Sequence, residues 1–329
     1  MKKTTLVHIA LVVAIVAIAG VAIWRLYEWN QGTTSDFEAE IEQVDPEEFD
    51  IETLDMIIPM DSSRLEGHEE DNELNILLLG NNPFTDDRSE NGLADMIAEK
   101  TCATVYNGAF PDSSAAFKHY PIDVNYPMDH FSLPSLTNLL LADDFYTINA
   151  AAKYMPNPED YQPGIDALES VDMNKVDVVV LMYDSTDYNN AVPCTNEAVA
   201  DDVTAFTGGI TFFLDVVNQY WPHIRVFVMT PTYALYQDEN GKTYSGTTKD
   251  LGNGPLPFYV QNEISAVVSC GYSVIDNYYG TVNESNYEEY LEDNMHLNEK
   301  GREKVADRIA DIINNKMTTV NSKSNIEQN

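Results

Sequence analysis

Val176-Asp177-Val178-Val179-Val180-Leu181-Met182, running straight into Tyr183-Asp184-Ser185-Thr186-Asp187-Tyr188, decides the fold class of this 329-residue chain. A nearly continuous apolar run rich in β-branched residues suits a strand covered on both faces, and strands buried in that way belong to parallel sheets. The polar residues that follow mark its end. Working outward, comparable runs stand at 74–80, 104–108, 225–230 and 272–277. Helical patterns lie between them at 93–100, within 132–154, at 197–220, at 257–269 and at 298–316. In the last of these Val305, Ile309, Ile312 and Ile313 share one face, and Asn298 is placed to cap it. Five strands alternating with helices predict an α/β fold, a doubly wound, mostly parallel five-stranded sheet in a flavodoxin-like three-layer α/β/α sandwich. Ligands in such folds sit beyond the carboxyl ends of the strands, so chemistry is to be sought just after each one.

The flanks divide the rest of the chain. Residues 6–24 are apolar apart from His8 and are bounded by Lys2, Lys3 and Arg25. Their length suffices for a helix to cross a hydrocarbon core of about 30 Å. The lysines hold the N-terminus inside, which predicts a transmembrane anchor in 1–29, contact with the cytoplasmic membrane through residues 6–24, and an extracytoplasmic domain. Ala17-Ile18-Ala19 has the form of a signal-peptide cleavage site, and cleavage there would make the protein secreted. Residues 30–72 are dense in Asp and Glu and read as an acidic stalk, from which Met56-Ile57-Ile58 could dock onto the domain. The domain itself spans 73–317, and 318–329 is a polar tail. With Lys+Arg 18 against Asp+Glu 54 the net charge is -36, which excludes nucleic acid as a partner. Cys102, Cys194 and Cys270 form no zinc pattern or disulfide framework and read as buried free thiols.

The strand ends carry, in order, Gly80-Asn81-Asn82-Pro83, Asn107-Gly108-Ala109, Tyr183 to Tyr188, and Asp293-Asn294-Met295-His296. In order and placement these blocks resemble the SGNH/GDSL hydrolases. The resemblance implies that the first block holds a nucleophilic serine, that the second and third supply oxyanion donors, and that the last supplies a base and its orienter. His296 would be the base and Asp293 its orienter: a three-residue step lets the carboxylate accept the second imidazole N–H and stabilise the imidazolium. Gly108 or Ala109 would stand at the oxyanion glycine, Thr186 at the oxyanion asparagine and Asp184 at the glycine before it. Asp187 and Tyr188 match the family's continuation.

Where the family keeps its serine this chain has Asn82. A carboxamide has no hydroxyl for His296 to activate, so the acyl-enzyme route is closed. Thr186 donates with shorter reach than asparagine, and Asp184 brings the wrong sign of charge to a developing oxyanion. Ser113, Ser114 and Ser185 border the same strand ends as alternative nucleophiles, and water activated by His296 is another route. Tyrosines are frequent in the loops, among them Tyr120, Tyr126, Tyr188, Tyr233 and Tyr236, and rings with polar tips suit sugar faces. The expectation is a degenerate SGNH-type protein that binds a cell-surface polysaccharide or cell-wall polymer, or assists its modification. The alternative is a working esterase or O-acyltransferase with an atypical nucleophile or His-activated water. Neither reading calls for a cofactor or a metal.

Overall fold

The computed structural model of the chain describes residues 55–68 and 73–320. Five strands within them form one sheet: β1 (Asn75–Gly80), β2 (Thr104–Asn107), β3 (Val178–Met182), β4 (Arg225–Met229) and β5 (Ser273–Ile275). Their spatial order is β2-β1-β3-β4-β5 and every pairing is parallel. The chain winds from β1 to one edge and then back past β1 toward the other, so the direction of winding reverses between β1 and β3. At that switch Gly80 pairs with Met182, which sets the carboxyl ends of the two strands side by side.

The principal helices are α1 (Leu93–Thr101), α2 (Leu133–Ala142), α3 (Gln162–Ser170), α4 (Phe206–Tyr220), α5 (Leu256–Ser269) and α6 (Glu299–Asn315). Strand alternation sorts the core into two layers. Leu77, Leu79, Val179, Leu181 and Val228 pack with Leu136, Ile165, Phe213 and Val260 from α2 to α5. Ile76, Leu78, Val178, Val180 and Phe227 pack with Ile97 of α1 and with Val305 and Ile309 of α6. All five residues of β3 are buried, which is why its sequence shows no polar alternation. Each such aliphatic side chain contributes roughly 1.5–3 kcal/mol through burial.

Several boundaries differ from the sequence reading. Residues 197–205 are not helical: the Asp202 carboxylate accepts from Thr204 N–H (3.0 Å) and from the Asn196 amide (2.6 Å), and this turn holds the chain until α4 starts at Phe206. Helix α3 was hidden by Pro163-Gly164, a loop-like pair; Pro163 lies in its first turn, and a Cβ on Gly164 would come within 2.7 Å of the Ala109 carbonyl. A hairpin of Leu235–Gln237 with Thr243–Ser245 also escaped notice. Cys102 is exposed, not buried, because it ends α1 in a left-handed turn (φ 56).

The stalk ends earlier than the acidic composition suggested. Met56 forms an antiparallel bridge with Val274 on the free edge of β5, exchanging two backbone hydrogen bonds of 3.0 Å. Asp55 accepts from the Asp276 N–H (2.8 Å) and from Arg308 (2.6 Å). Met60–Asp61 then pairs in parallel with Thr319–Val320, so the start of the tail is part of the folded body too. The segment 1–29, read as the anchor, lies outside the described residues, among which no helix is long and apolar enough to cross a membrane.

Candidate active-site cleft

Gly80 lets the chain leave β1. Its φ of +146 is one that L side chains avoid, and a Cβ there would collide with the Met182 carbonyl. The next residues are turned into the end of the sheet, where Asn81 is wholly buried and Asn82 is 3% exposed. A single helical turn, Asn82–Thr85, follows with Pro83 near its start.

Both asparagines close on Asp184. The Asn82 amide donates to one Asp184 carboxylate oxygen (2.8 Å) and Asn81 donates to the other (2.8 Å), which also accepts from Thr186 N–H (2.8 Å). Asn81 donates further to the Ser113 carbonyl (3.0 Å), and its own oxygen accepts from Asp184 N–H (2.9 Å). Asp184 is therefore the fastener that joins the turns after β1 and β3, and through Asn81 it reaches the turn after β2. A carboxylate buried to this degree is tolerable because three N–H donors meet it.

The other end of the Asn82 side chain is occupied as well, since its carbonyl oxygen accepts from the backbone N–H of Asp112 at 2.8 Å. Asp112 has φ 55, the left-handed region that glycine favours and aspartate tolerates. The residues of the second block are bonded elsewhere. Gly108 N–H is spent on the Leu78 carbonyl (3.0 Å), extending the strand pairing, and its missing Cβ makes room for Leu168 of α3. Ala109 is fully buried and its N–H donates to Asn107 Oδ1 at 3.3 Å. Both N–H groups are thus bonded within the fold, and the N–H that meets Asn82 is Asp112's, three residues beyond Ala109. Pro111-Asp112-Ser113-Ser114 is turn-forming composition, and that was the available signal.

The third block is engaged within the fold as well. Thr186 N–H is committed to Asp184, and Asp187 faces inward, 1% exposed, accepting from Ala115 N–H at 2.9 Å. Burial pushes the Asp187 carboxyl up to about 7; the Ala115 and Ala116 N–H groups pull against this and the Asp184 charge adds to it. Asp187 thus positions the loop after β2.

His296 is held as the sequence implied. Asp293 Oδ1 accepts from the N–H groups of Met295 (2.8 Å) and His296 (2.9 Å), while Oδ2 lies 2.7 Å from His296 Nδ1. With Nδ1 engaged, Nε2 is the nitrogen left for chemistry. The loop is braced by the Leu291 to Leu297 bridge and by a hydrogen bond from Leu235 N–H to the Asn294 carbonyl (2.7 Å). Asn298 caps α6 by accepting from Gly301 N–H at 3.0 Å. Arg302, 7% exposed, bonds the Leu297 and Asn91 carbonyls and pairs with Asp87 at 3.0 Å, tying the turn beyond Asn82 to the histidine loop.

Electrostatics join these parts. Burial works against the imidazolium, but the Asp293 hydrogen bond and the charges of Asp86, Asp293 and Asp184 outweigh it and raise His296 above its ordinary value. Burial likewise opposes the charge of Asp293, which the N–H groups of His296 and Met295 and the imidazole nevertheless hold below the carboxylate range. Asp86, four residues past Asn82, is exposed as a whole residue, but its carboxyl group is partly desolvated and feels the charges of this site. Burial there pushes it up to about 7, His296 pulls it down, and Asp184, Glu292 and Asp293 add to the rise. Among the described residues no serine or threonine hydroxyl bonds the imidazole. Ser113 donates to the Gly80 carbonyl (3.2 Å), and Ser185 meets the Met295 sulfur at 3.9 Å. The switch point thus holds an imidazole oriented by Asp293 without a hydroxyl partner, and an amide that has taken the neighbouring N–H.

No family model matches the chain, and no curated protein matches it. Solved structures do. A protein from Lactobacillus plantarum superposes with TM-score 0.51 at 12% identity, covering 74% of this chain and 98% of its own. A possible lipase from Chitinophaga pinensis gives 0.49 at 12%, covering 74% and 98%. A carbohydrate acetylesterase from Sinorhizobium meliloti, Est24, gives 0.44 at 11%, covering 74% and 99%. At such identities the likeness is one of fold alone, an α/β three-layer sandwich.

Proposed function

We propose that this chain is a degenerate SGNH/GDSL-type protein: it has lost the serine-dependent esterase step, and its cleft binds a surface glycan or acylated polymer or assists a partner that modifies one. The observation that carries this reading is the Asn82 carboxamide, bonded at one end to Asp184 and at the other to the Asp112 N–H. An oxyanion formed at this position would have to displace the Asn82 carbonyl from its donor and would lie against the Asp184 carboxylate, so charge stabilisation is missing as well as the nucleophile. The retained Asp293–His296 unit then serves recognition, with Nε2 as a hydrogen-bonding group.

That same unit favours one competing reading. An imidazole held by its carboxylate, with Nε2 not bonded to a hydroxyl, is equipped to take a proton from water and run a general-base hydrolysis. Full-length protein in detergent, assayed on p-nitrophenyl acetate and on acetylated xylan, separates the two. Turnover abolished by His296→Ala would defeat the degenerate reading, and rates equal to buffer in both proteins uphold it. The proposal further puts the folded body outside the cytoplasmic membrane on residues 6–24, which is supported by their apolar run behind Lys2 and Lys3. Recovery of the full chain in the soluble fraction, with its N-terminus intact, would remove that part.

A further inference from the structure

Beside the cleft lies a recess of about 810 Å³ whose walls the proposed function does not use. It is bounded on one side by the loop that carries Phe117, Lys118, Tyr120 and Tyr126, and on the other by Asn190 and Thr204. Ser114 also lines it, next in sequence to Ser113, whose carbonyl Asn81 bonds; Asn190 directly follows the Thr186–Asn189 turn. The recess therefore opens from the same strand ends as Asn82.

Its walls are pre-built. Asp129, 2% exposed, accepts from the backbone N–H groups of Lys118 (2.7 Å) and His119 (3.0 Å), and Phe117 N–H bonds the Val203 carbonyl (2.8 Å). These bonds fix the loop before any ligand arrives. Phe117 is buried, and Tyr120 lies against it with ring centroids 5.6 Å apart and planes 18° from parallel. Tyr120 is nonetheless 68% exposed, so the outer ring of the pair presents a flat apolar face supported from behind. Lys118 sits over the Tyr126 ring at 4.6 Å, and Asp123, Asn190 and Thr204 add polar groups around the rim.

A flat supported ring ringed by short polar side chains matches a pyranose, with its apolar C–H face and its rim of hydroxyls. An anionic polymer is disfavoured by the net charge of -36. We infer that this recess is a subsite for a neutral glycan chain, with Tyr120 as the stacking platform and Lys118, Asp123 and Asn190 as hydroxyl partners. The inference rests on the glycan-binding reading of the cleft and extends it to a place and a ligand class.

The test is affinity electrophoresis of the full chain in detergent, through gels containing xylan, glucomannan or polygalacturonate. The wild-type protein is expected to be retarded by a neutral polysaccharide. Tyr120→Ala should weaken that retardation about tenfold, roughly one aromatic contact, and Tyr120→Phe should keep it. Because the Tyr120 ring is largely exposed, the unfolding midpoint of Tyr120→Ala should match wild type, and this serves as the folding control. Equal retardation of wild type and Tyr120→Ala by the neutral gels would overturn the subsite while leaving glycan binding by the cleft intact. Retardation by polygalacturonate alone would overturn the assigned ligand class. No retardation in any gel would overturn the subsite and the glycan-binding reading together.

Discussion

Asp187→Asn isolates what one buried carboxyl does to the stability of the loop beside the cleft. In the folded chain burial raises Asp187 from 3.8 to about 7, against the pull of the Ala115 N–H, whereas in the unfolded chain it titrates as an ordinary aspartate. Between those values the unfolded chain has released a proton that the folded chain retains. The contribution to stability is therefore fully present below about pH 4 and is lost as pH rises through about 7. About three units at 1.36 kcal/mol each come to roughly 4 kcal/mol. The amide of Asp187→Asn has the same shape, still accepts the Ala115 N–H, and has no proton to lose. It also places a donor at the oxygen that has no partner in the fold, as the protonated acid does, so the two proteins should be alike in acid. Urea unfolding at about pH 4.5, 6 and 8 gives the difference directly. Glu263 is also raised, by burial first and by the Asp187 charge second, so removing that charge reduces its rise in Asp187→Asn and adds to the difference in the same direction. Asp187→Asn should gain on wild type by several kcal/mol between the ends of that range. Parallel pH profiles for the two proteins would refute the assignment of a buried carboxyl protonated in the fold.

Other outcomes follow from the same geometry. Asn82→Ser should lower stability by about 1–3 kcal/mol, because Asp184 loses a donor and Asp112 N–H loses an acceptor; p-nitrophenyl acetate turnover should stay at background, and gained turnover would show that Asp184 does not obstruct the chemistry. The His296 imidazole, followed by NMR through a pH titration, should titrate above its ordinary value and fall in Asp293→Asn, since its hydrogen bond to the Asp293 carboxylate supports the charged form; an unmoved midpoint would count against that support. Arg302→Met should cost at least about 2 kcal/mol, because it strands two carbonyls and the Asp87 carboxylate. Its effect should appear as faster amide exchange in 86–92 and 293–298, and protection equal to wild type would show that the pair does not tie these loops together.

Much of the fold could be read from the residues. Each run read as a strand contains one of the five strands of the sheet, most plainly β1 and β3, where burial on both faces leaves an apolar run whatever the rest of the chain does. The cap at Asn298 and the Asp293–His296 pairing were legible for a similar reason: each closes within three residues. Helix α3 was not, since Pro163 and Gly164 are there to start a helix and to let it approach the Ala109 carbonyl, a packing need invisible in the local pattern. The docking of Met56 onto β5 was only half legible, because the acidic composition around it described solvation and not the open strand edge it covers.

Residue order by itself determined the layered α/β architecture and the absence of a serine at the end of the first strand, and it pointed to the strand ends as the place to look for a site. Only the tertiary structure decided which backbone N–H meets Asn82, and that Asp184 binds where its charge had suggested only repulsion. Asn82 and Asp184 are 102 positions apart and Asn82 and Asp112 are 30 apart. A hydrogen bond closing over such a span depends to within a few tenths of an ångström on the whole intervening backbone path, and no local periodicity records that path.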